Sequence, residues 1–210
     1  SFAKKQEISN QEEKMKILTT KELILSAIFA AMTCVLALIA IPLPFTPVPI
    51  TLHVMGVAMA GAILGKKLGF ISQGVYMLLG AIGLPVFSGG RGGIGVILGP
   101  TGGYIIGFVI GAFVIGFLVE NLSRYANGKK SEFFILFFSM IVGLAVIYII
   151  GALQLKAVLG LTTPQAIASG VTPFIASDFV KVSLGAFVAY YVRNGLKKSN
   201  LMPTNNKVAA

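Results

Sequence analysis

The sequence predicts an all-α membrane protein with six transmembrane helices and both termini in the cytoplasm. Three observations carry that expectation. Of 210 residues, 56% are hydrophobic and only 11% charged, against roughly 25% charged in an ordinary soluble domain, and mean hydropathy is +0.88. The apolar residues fall in long runs, and a helix crossing a bilayer needs about 20 of them. Fourteen of the 17 Lys and Arg lie on one side of the resulting scheme.

Residues 1–20 read as a polar cytoplasmic lead. They do not resemble a cleaved signal peptide, because Glu7, Glu12 and Glu13 interrupt them and the apolar run that follows is long enough to span. Leu23 to Gly65 holds 43 residues without Asp, Glu, Lys or Arg, so two crossings must fit there. Pro42, Pro44, Pro47 and Pro49 mark their connection, since proline lacks an N–H and clashes with the preceding turn. Span one is then 22–41 and span two 50–65. Lys66 and Lys67 end it, and span three occupies 68–84. Ser88–Gly103, with eight glycines and Pro100, reads as a loop. Spans four, five and six follow at 104–119, 133–155 and 172–192. The membrane domain therefore covers 21–195, and residues 196–210 form a polar tail.

The charges segregate in agreement with this order. Lys4, Lys5, Lys14, Lys16 and Lys21, then Lys66 and Lys67, then Arg124, Lys129 and Lys130, then Arg193, Lys197, Lys198 and Lys207 share one side. The other side has Arg91 and Lys156, and Lys181 falls within span six. An excess of Lys and Arg marks cytoplasmic loops. A nucleic-acid reading of the net charge of +10 is disfavoured, because the cations sit as short clusters between apolar runs and not along one groove or helix face. One cysteine, Cys34, and one histidine, His53, leave neither a disulfide nor a Cys/His metal site. Ala60–Lys67 lacks the first Gly and the final Ser or Thr of a phosphate-binding loop, and no nucleophile elbow or His-Glu-x-x-His pair occurs, so no enzyme activity is expected.

Candidate site residues stand out against this apolar background. Ionisable groups inside a span are costly and mark function by default. Asp178 and Lys181, spaced i, i+3, share a face of span six. They are either a self-neutralising packing pair or a ligand site, and the second reading is preferred because an apolar pair is often at least as stable. Arg91, in Ser88-Gly-Gly-Arg-Gly-Gly93, is either a solvated loop charge or a bidentate clamp for a carboxylate. His53, alone near the start of span two, is a packing residue or a ligand contact. Tyr76, Phe87, Tyr104 and Tyr148 are possible walls of a pocket. Ala27 and Ala31 in span one form a small-xxx-small surface for another helix, within this chain or outside it.

Four motifs in order carry a family resemblance: Pro44-Phe-Thr-Pro-Val-Pro-Ile-Thr-Leu52, Tyr76-Met-Leu-Leu-Gly-Ala-Ile-Gly-Leu-Pro-Val-Phe-Ser-Gly-Gly90, Leu98-Gly-Pro-Thr-Gly-Gly-Tyr104 and Asp178-x-x-Lys181. Over residues 20–195 the chain resembles the BioY family, the biotin-specific S components of energy-coupling factor transporters. The resemblance implies a six-helix biotin-binding subunit in the bacterial cell membrane. Its outward pocket is closed by the loops between helices one and two and between three and four. Its partners are a transmembrane T component and a pair of ATPases. Ala27 and Ala31 match the alanine motif that contacts the T component, and Asp178 and Lys181 carry over as polar contacts to biotin. No cofactor is implied, and biotin is the transported ligand.

This chain departs from the family pattern in carrying His53 where Gln is common, Arg91 where Asn is common, and Ile105 where some relatives have Arg. Biotin, with a ureido ring, a thioether, an apolar chain and a carboxylate, suits an apolar pocket with a few placed polar groups. On this reading Asp178 accepts from a ureido N–H and Lys181 balances it and donates to the ureido oxygen. Arg91 or backbone N–H groups around Gly90 meet the carboxylate, with His53 and Tyr104 completing the site, and the reverse ligand orientation stands as the alternative. The alternative is a small ion-coupled carrier using Asp178 as its proton site.

Overall fold

Thr19 opens the first long helix with a reciprocal cap: its hydroxyl accepts from the Glu22 N–H at 3.3 Å, and the Glu22 carboxylate accepts from the Thr19 N–H at 2.9 Å. The computed structural model describes residues 18–126, 128–199 and 201–202. Helix α1 (Thr20–Leu38) leads into an antiparallel hairpin of β1 (Ala40–Leu43) and β2 (Thr46–Thr51). Then come α2 (His53–Ala81), the short α3 (Ile94–Leu98), α4 (Gly102–Leu122), α5 (Lys129–Leu159), α6 (Thr163–Gly170) and α7 (Ile175–Lys198). The fold is mostly helical, and among the described residues five helical stretches are long and apolar enough to cross a membrane. Most of the polar lead and most of the polar tail lie outside the described residues.

Three expectations change. The proline-marked connection is a β-hairpin, which an all-α reading does not contain: Ala40 pairs with Thr51, Ile41 with Ile50 and Leu43 with Thr46. Four prolines forbid a helix there, yet a two-stranded sheet has only edge strands, where proline is tolerated, and Pro42 falls at the register irregularity. The Gly-rich loop contains the helical turn α3, and an eight-residue helix, α6, precedes α7. Arg193, counted above among loop cations, is 1% exposed inside α7.

Spans two and three form α2, interrupted only at Gly65, whose φ of 82° and ψ of 179° are non-helical. A Cβ on Gly69 would lie 3.0 Å from the Gly61 Cα, whereas residues eight apart on a straight helix are about 12 Å apart at 1.5 Å per residue. The arms 53–64 and 66–81 therefore fold back on each other. Across this break the Lys66 N–H, which a continuous helix would give to the Ala62 carbonyl, donates instead to Glu120 Oε1 at 2.9 Å. The Ala62 carbonyl so orphaned accepts from Arg193 Nη1 at 2.5 Å. Glu120 also pairs with the Lys66 ammonium at 3.3 Å.

The core is a slab of α2, α4 and α5 packed almost backbone to backbone. A Cβ on Gly107 would stand 3.1 Å from the Ile147 Cα, and one on Gly103 3.1 Å from the Gly151 Cα. Small residues let membrane helices approach this closely, and packing is the main force available there. Helices α1 and α7 flank the slab.

Candidate functional site

At the hairpin end of the bundle a cavity of about 70 Å³ opens among β2, the start of α2, the Gly-rich segment, α4, α5 and α7. Its position follows from the Gly65 reversal, which returns Tyr76 on the second arm of α2 to the level of His53 on the first. His53 Nε2 lies 2.6 Å from the Tyr76 hydroxyl, and Nδ1 lies 3.0 Å from Thr51 Oγ1 at the end of β2. Both ring nitrogens are thus occupied by the wall itself. Tyr76, Phe87, Tyr104 and Tyr148 all line the cavity. Phe87 sets its ring edge-on to Tyr76 at 5.6 Å and against Gly80, where any Cβ would strike the Phe87 ring.

The charged pair sits in the first turns of α7. Lys181 Nζ donates to Asp178 Oδ1 at 2.7 Å, and the Tyr148 hydroxyl donates to Asp178 Oδ2, also at 2.7 Å. Both residues are buried, Asp178 at 4% and Lys181 at 8% exposure. Asp178 lines the cavity, whereas Lys181 stands behind it, approaches Ser177 Oγ at 3.5 Å and is not among the lining residues. A carboxylate offers about four acceptor sites. With Lys181, Tyr148 and the Ser177 hydroxyl, which donates to Oδ1 at 3.4 Å, using three, Asp178 retains capacity for one ligand N–H. Tyr148, from α5, is a partner of Asp178 that sequence reading does not reveal, since nothing in the chain relates position 148 to 178. Replacing Tyr148 by Phe leaves Oδ2 without that donor and is expected to lower folding stability by about 1–3 kcal/mol, read as a drop in Tm in detergent.

The mouth is built from the Gly-rich segment. Gly89 and Gly90, at φ 69° and 72°, tighten the turn that brings the Arg91 carbonyl to the Phe87 N–H at 2.9 Å. Gln154 on α5 pins the segment by donating to the Ile97 and Gly99 carbonyls at 2.6 and 2.8 Å. Arg91 is exposed and lines the cavity. Its Nε donates to the Ser88 carbonyl at 3.1 Å, and the guanidinium's four other N–H donors bond no described residue. Gly90 shapes the turn but does not line the cavity, and its N–H already donates to the Phe87 carbonyl at 3.0 Å. Tyr104 presents its ring, while its hydroxyl is spent on the Gly170 carbonyl at 2.7 Å.

The structure thus brings Asp178, Arg91, His53 and Tyr104 to one cavity, with Lys181 one layer behind. Phe108, Phe174 and Thr101 join them as lining residues without a distinguishing sequence signal. Among the described residues no group of His, Cys, Asp and Glu is placed to hold a metal ion. Ala27 and Ala31 lie elsewhere, both exposed on the outer face of α1, with Ala30 buried at 2%. Packing among the described residues therefore does not use the Ala27-x-x-x-Ala31 surface.

Comparison with known proteins places the fold among known relatives. The family model described as the BioY family matches residues 9–198. The biotin transporter BioY of Rhizobium etli is 40% identical over 182 residues, covering 85% of this chain and 96% of that protein. The biotin transporter BioY of Thermotoga maritima is 42% identical, covering 80% and 94%. Among solved structures, the S component for biotin from an ECF-type ABC transporter superposes with a TM-score of 0.75 at 34% identity, covering 84% of this chain and 95% of that one. A match spanning every helix described above, and relatives of this identity and coverage, establish that the chain belongs to the BioY family.

Proposed function

We propose that this chain is the biotin-capturing S component of an energy-coupling factor transporter in a bacterial cell membrane, working with a transmembrane T component and a pair of ATPases. It is a binding subunit for transport and not an enzyme. The observation that carries the reading is a buried Asp178, charge-balanced by Lys181 and oriented by Tyr148, at the wall of an otherwise apolar and aromatic cavity. Counting the two arms of α2 separately gives six crossings, with both termini on the cytoplasmic side that the Lys and Arg distribution favours. The hairpin and Gly-rich segment then face outward over the cavity.

In this site Asp178 accepts a ureido N–H of biotin, the aromatic rings of Tyr76, Phe87 and Tyr104 enclose the bicyclic ring and chain, and Arg91 at the mouth meets the carboxylate. The cavity is small beside the roughly 300–1,000 Å³ of ligand sites, so entry spreads the hairpin and the Gly-rich segment apart. The exposed Ala27 and Ala31 surface serves the T component.

Equilibrium binding of biotin to the detergent-purified chain, with thiamin and riboflavin as controls, tests the proposal. Saturable binding of biotin alone is expected. Arg91→Ala should weaken biotin by about tenfold or more, the value of one charge-assisted hydrogen-bond pair, while leaving the neutral biotin amide nearly unaffected. No binding by folded protein overturns the biotin reading, and equal weakening of acid and amide overturns the role of Arg91.

A further inference from the structure

About 18–30 Å along α7 from Asp178, at 1.5 Å per residue, a second hollow of about 560 Å³ lies between the ends of α5 and α7. Lys129, Glu132, Tyr190, Asn194, Lys197 and Lys198 line it. Its electrostatics are unbalanced. Glu132 is the one carboxylate in this lining, and it serves both Lys197, at 2.9 Å, and Arg193, at 3.7 Å. Lys129 and Lys198 are exposed and pair with no described residue. The hollow also receives the N-terminus of α5, where Gly128 at φ 104° supplies no side-chain cap for the first N–H groups. Helix N-termini favour anions. From it an exposed apolar stripe, Tyr191, Phe187 and Leu184, climbs α7 toward the middle of the helix.

We propose that this hollow binds the phosphodiester headgroup of an anionic phospholipid, with an acyl chain lying along Leu184, Phe187 and Tyr191. The inference rests on the membrane placement proposed above, which sets this end in the cytoplasmic leaflet. A headgroup phosphate supplies the negative charge the cluster lacks, and Tyr191 sits at the depth where interfacial tyrosines are found. A soluble anion would satisfy the lysines and leave the stripe uncovered. A zwitterionic lipid would cover the stripe without neutralising the excess charge.

Native mass spectrometry and thermal unfolding of the detergent-purified full chain test this with dioleoylphosphatidylglycerol, dioleoylphosphatidylcholine and inorganic phosphate as separate probes. Phosphatidylglycerol is expected to be retained and to raise Tm, with the other two markedly weaker. The double variant Lys129→Gln, Lys198→Gln should bind phosphatidylglycerol about thirtyfold more weakly, from about fivefold per basic residue near an anionic surface, while Lys156→Gln at the far end of α5 should not. On the parent protein, raised salt should weaken phosphatidylglycerol and leave phosphatidylcholine unchanged, a measurement that needs no variant. Equal retention of both lipids, a Tm rise with phosphate alone, or undiminished binding by the double variant overturns the site. If biotin fails to bind while phosphatidylglycerol is retained with these lysine and salt dependences, the transport reading falls and the lipid site stands.

Discussion

Replacing Lys181 by Met is expected to cost more than replacing Asp178 and Lys181 together. Lys181 donates to Asp178 at 2.7 Å where both are buried. Removing one member of a buried pair strands the other charge, typically at about 3–5 kcal/mol, whereas removing both leaves no charge to strand. Lys181→Met alone should therefore lower Tm sharply, and the double variant Asp178→Asn, Lys181→Met should recover most of that loss. Biotin affinity should behave differently. Asp178→Asn should weaken binding by about a hundredfold, near the upper range for hydrogen bonds to charged groups. Lys181→Met should weaken it through the loss of the group that orients Asp178, and the double variant should stay weak because Asn offers only a neutral amide oxygen where the carboxylate accepts the ureido N–H. Calorimetric binding together with thermal unfolding separates the two effects. Single variants that bind as tightly as the parent would remove Asp178 and Lys181 from the site, and a double variant that regains affinity would reduce them to a packing pair.

The second large effect is expected at Gly116. A Cβ there would strike backbone, the Lys66 nitrogen and the Gly65 carbonyl carbon at the α2 reversal. Backbone cannot rotate away as a side chain can, so Gly116→Leu should exceed the usual overpacking cost of about 1–3 kcal/mol and prevent recovery of folded protein. Gly74, on the second arm of α2, has nothing within 4 Å of the point where a methyl carbon would stand, and Gly74→Ala should keep Tm or raise it slightly, since Ala is favoured over Gly in a helix interior by up to about 1 kcal/mol. Size-exclusion profiles and Tm values for the two variants check the contrast. A well-folded Gly116→Leu protein would mean that α4 and the α2 reversal are free to separate.

Much of the helical order was legible because it rests on local composition. Runs of uncharged residues define helices, and Lys66-Lys67 and the Gly-rich stretch interrupt them, so the expected boundaries fall within a few residues of α1, α4 and α7 at most of their ends. The hairpin was not, because four prolines speak against helix without speaking for strand pairing. The glycine spacing at Gly103, Gly107 and Gly111 was a readable signal for close packing, yet its partners on α5 depend on tertiary contact. Arg193 illustrates the same limit from the other side. Its burial follows from an orphaned carbonyl at Ala62, created by a break at Gly65 that lies 128 residues away in sequence.

In the candidate site, Asp178 and Lys181 declared themselves by charge in an apolar run. Tyr148 did not, since a tyrosine on an aromatic-rich helix has no distinguishing neighbours.

Because Asp178 and Lys181 ride on a single turn of α7, any displacement of that helix through the membrane carries both charges together. A lone carboxylate crossing the full membrane would exchange about 2.3 kcal/mol with each 100 mV of membrane potential; the pair, being neutral, exchanges almost none. Movements of α7 are thereby insulated from the cell's voltage, and the charge left to feel it in the empty pocket is Arg91 at the mouth, which the carboxylate of the cargo would offset.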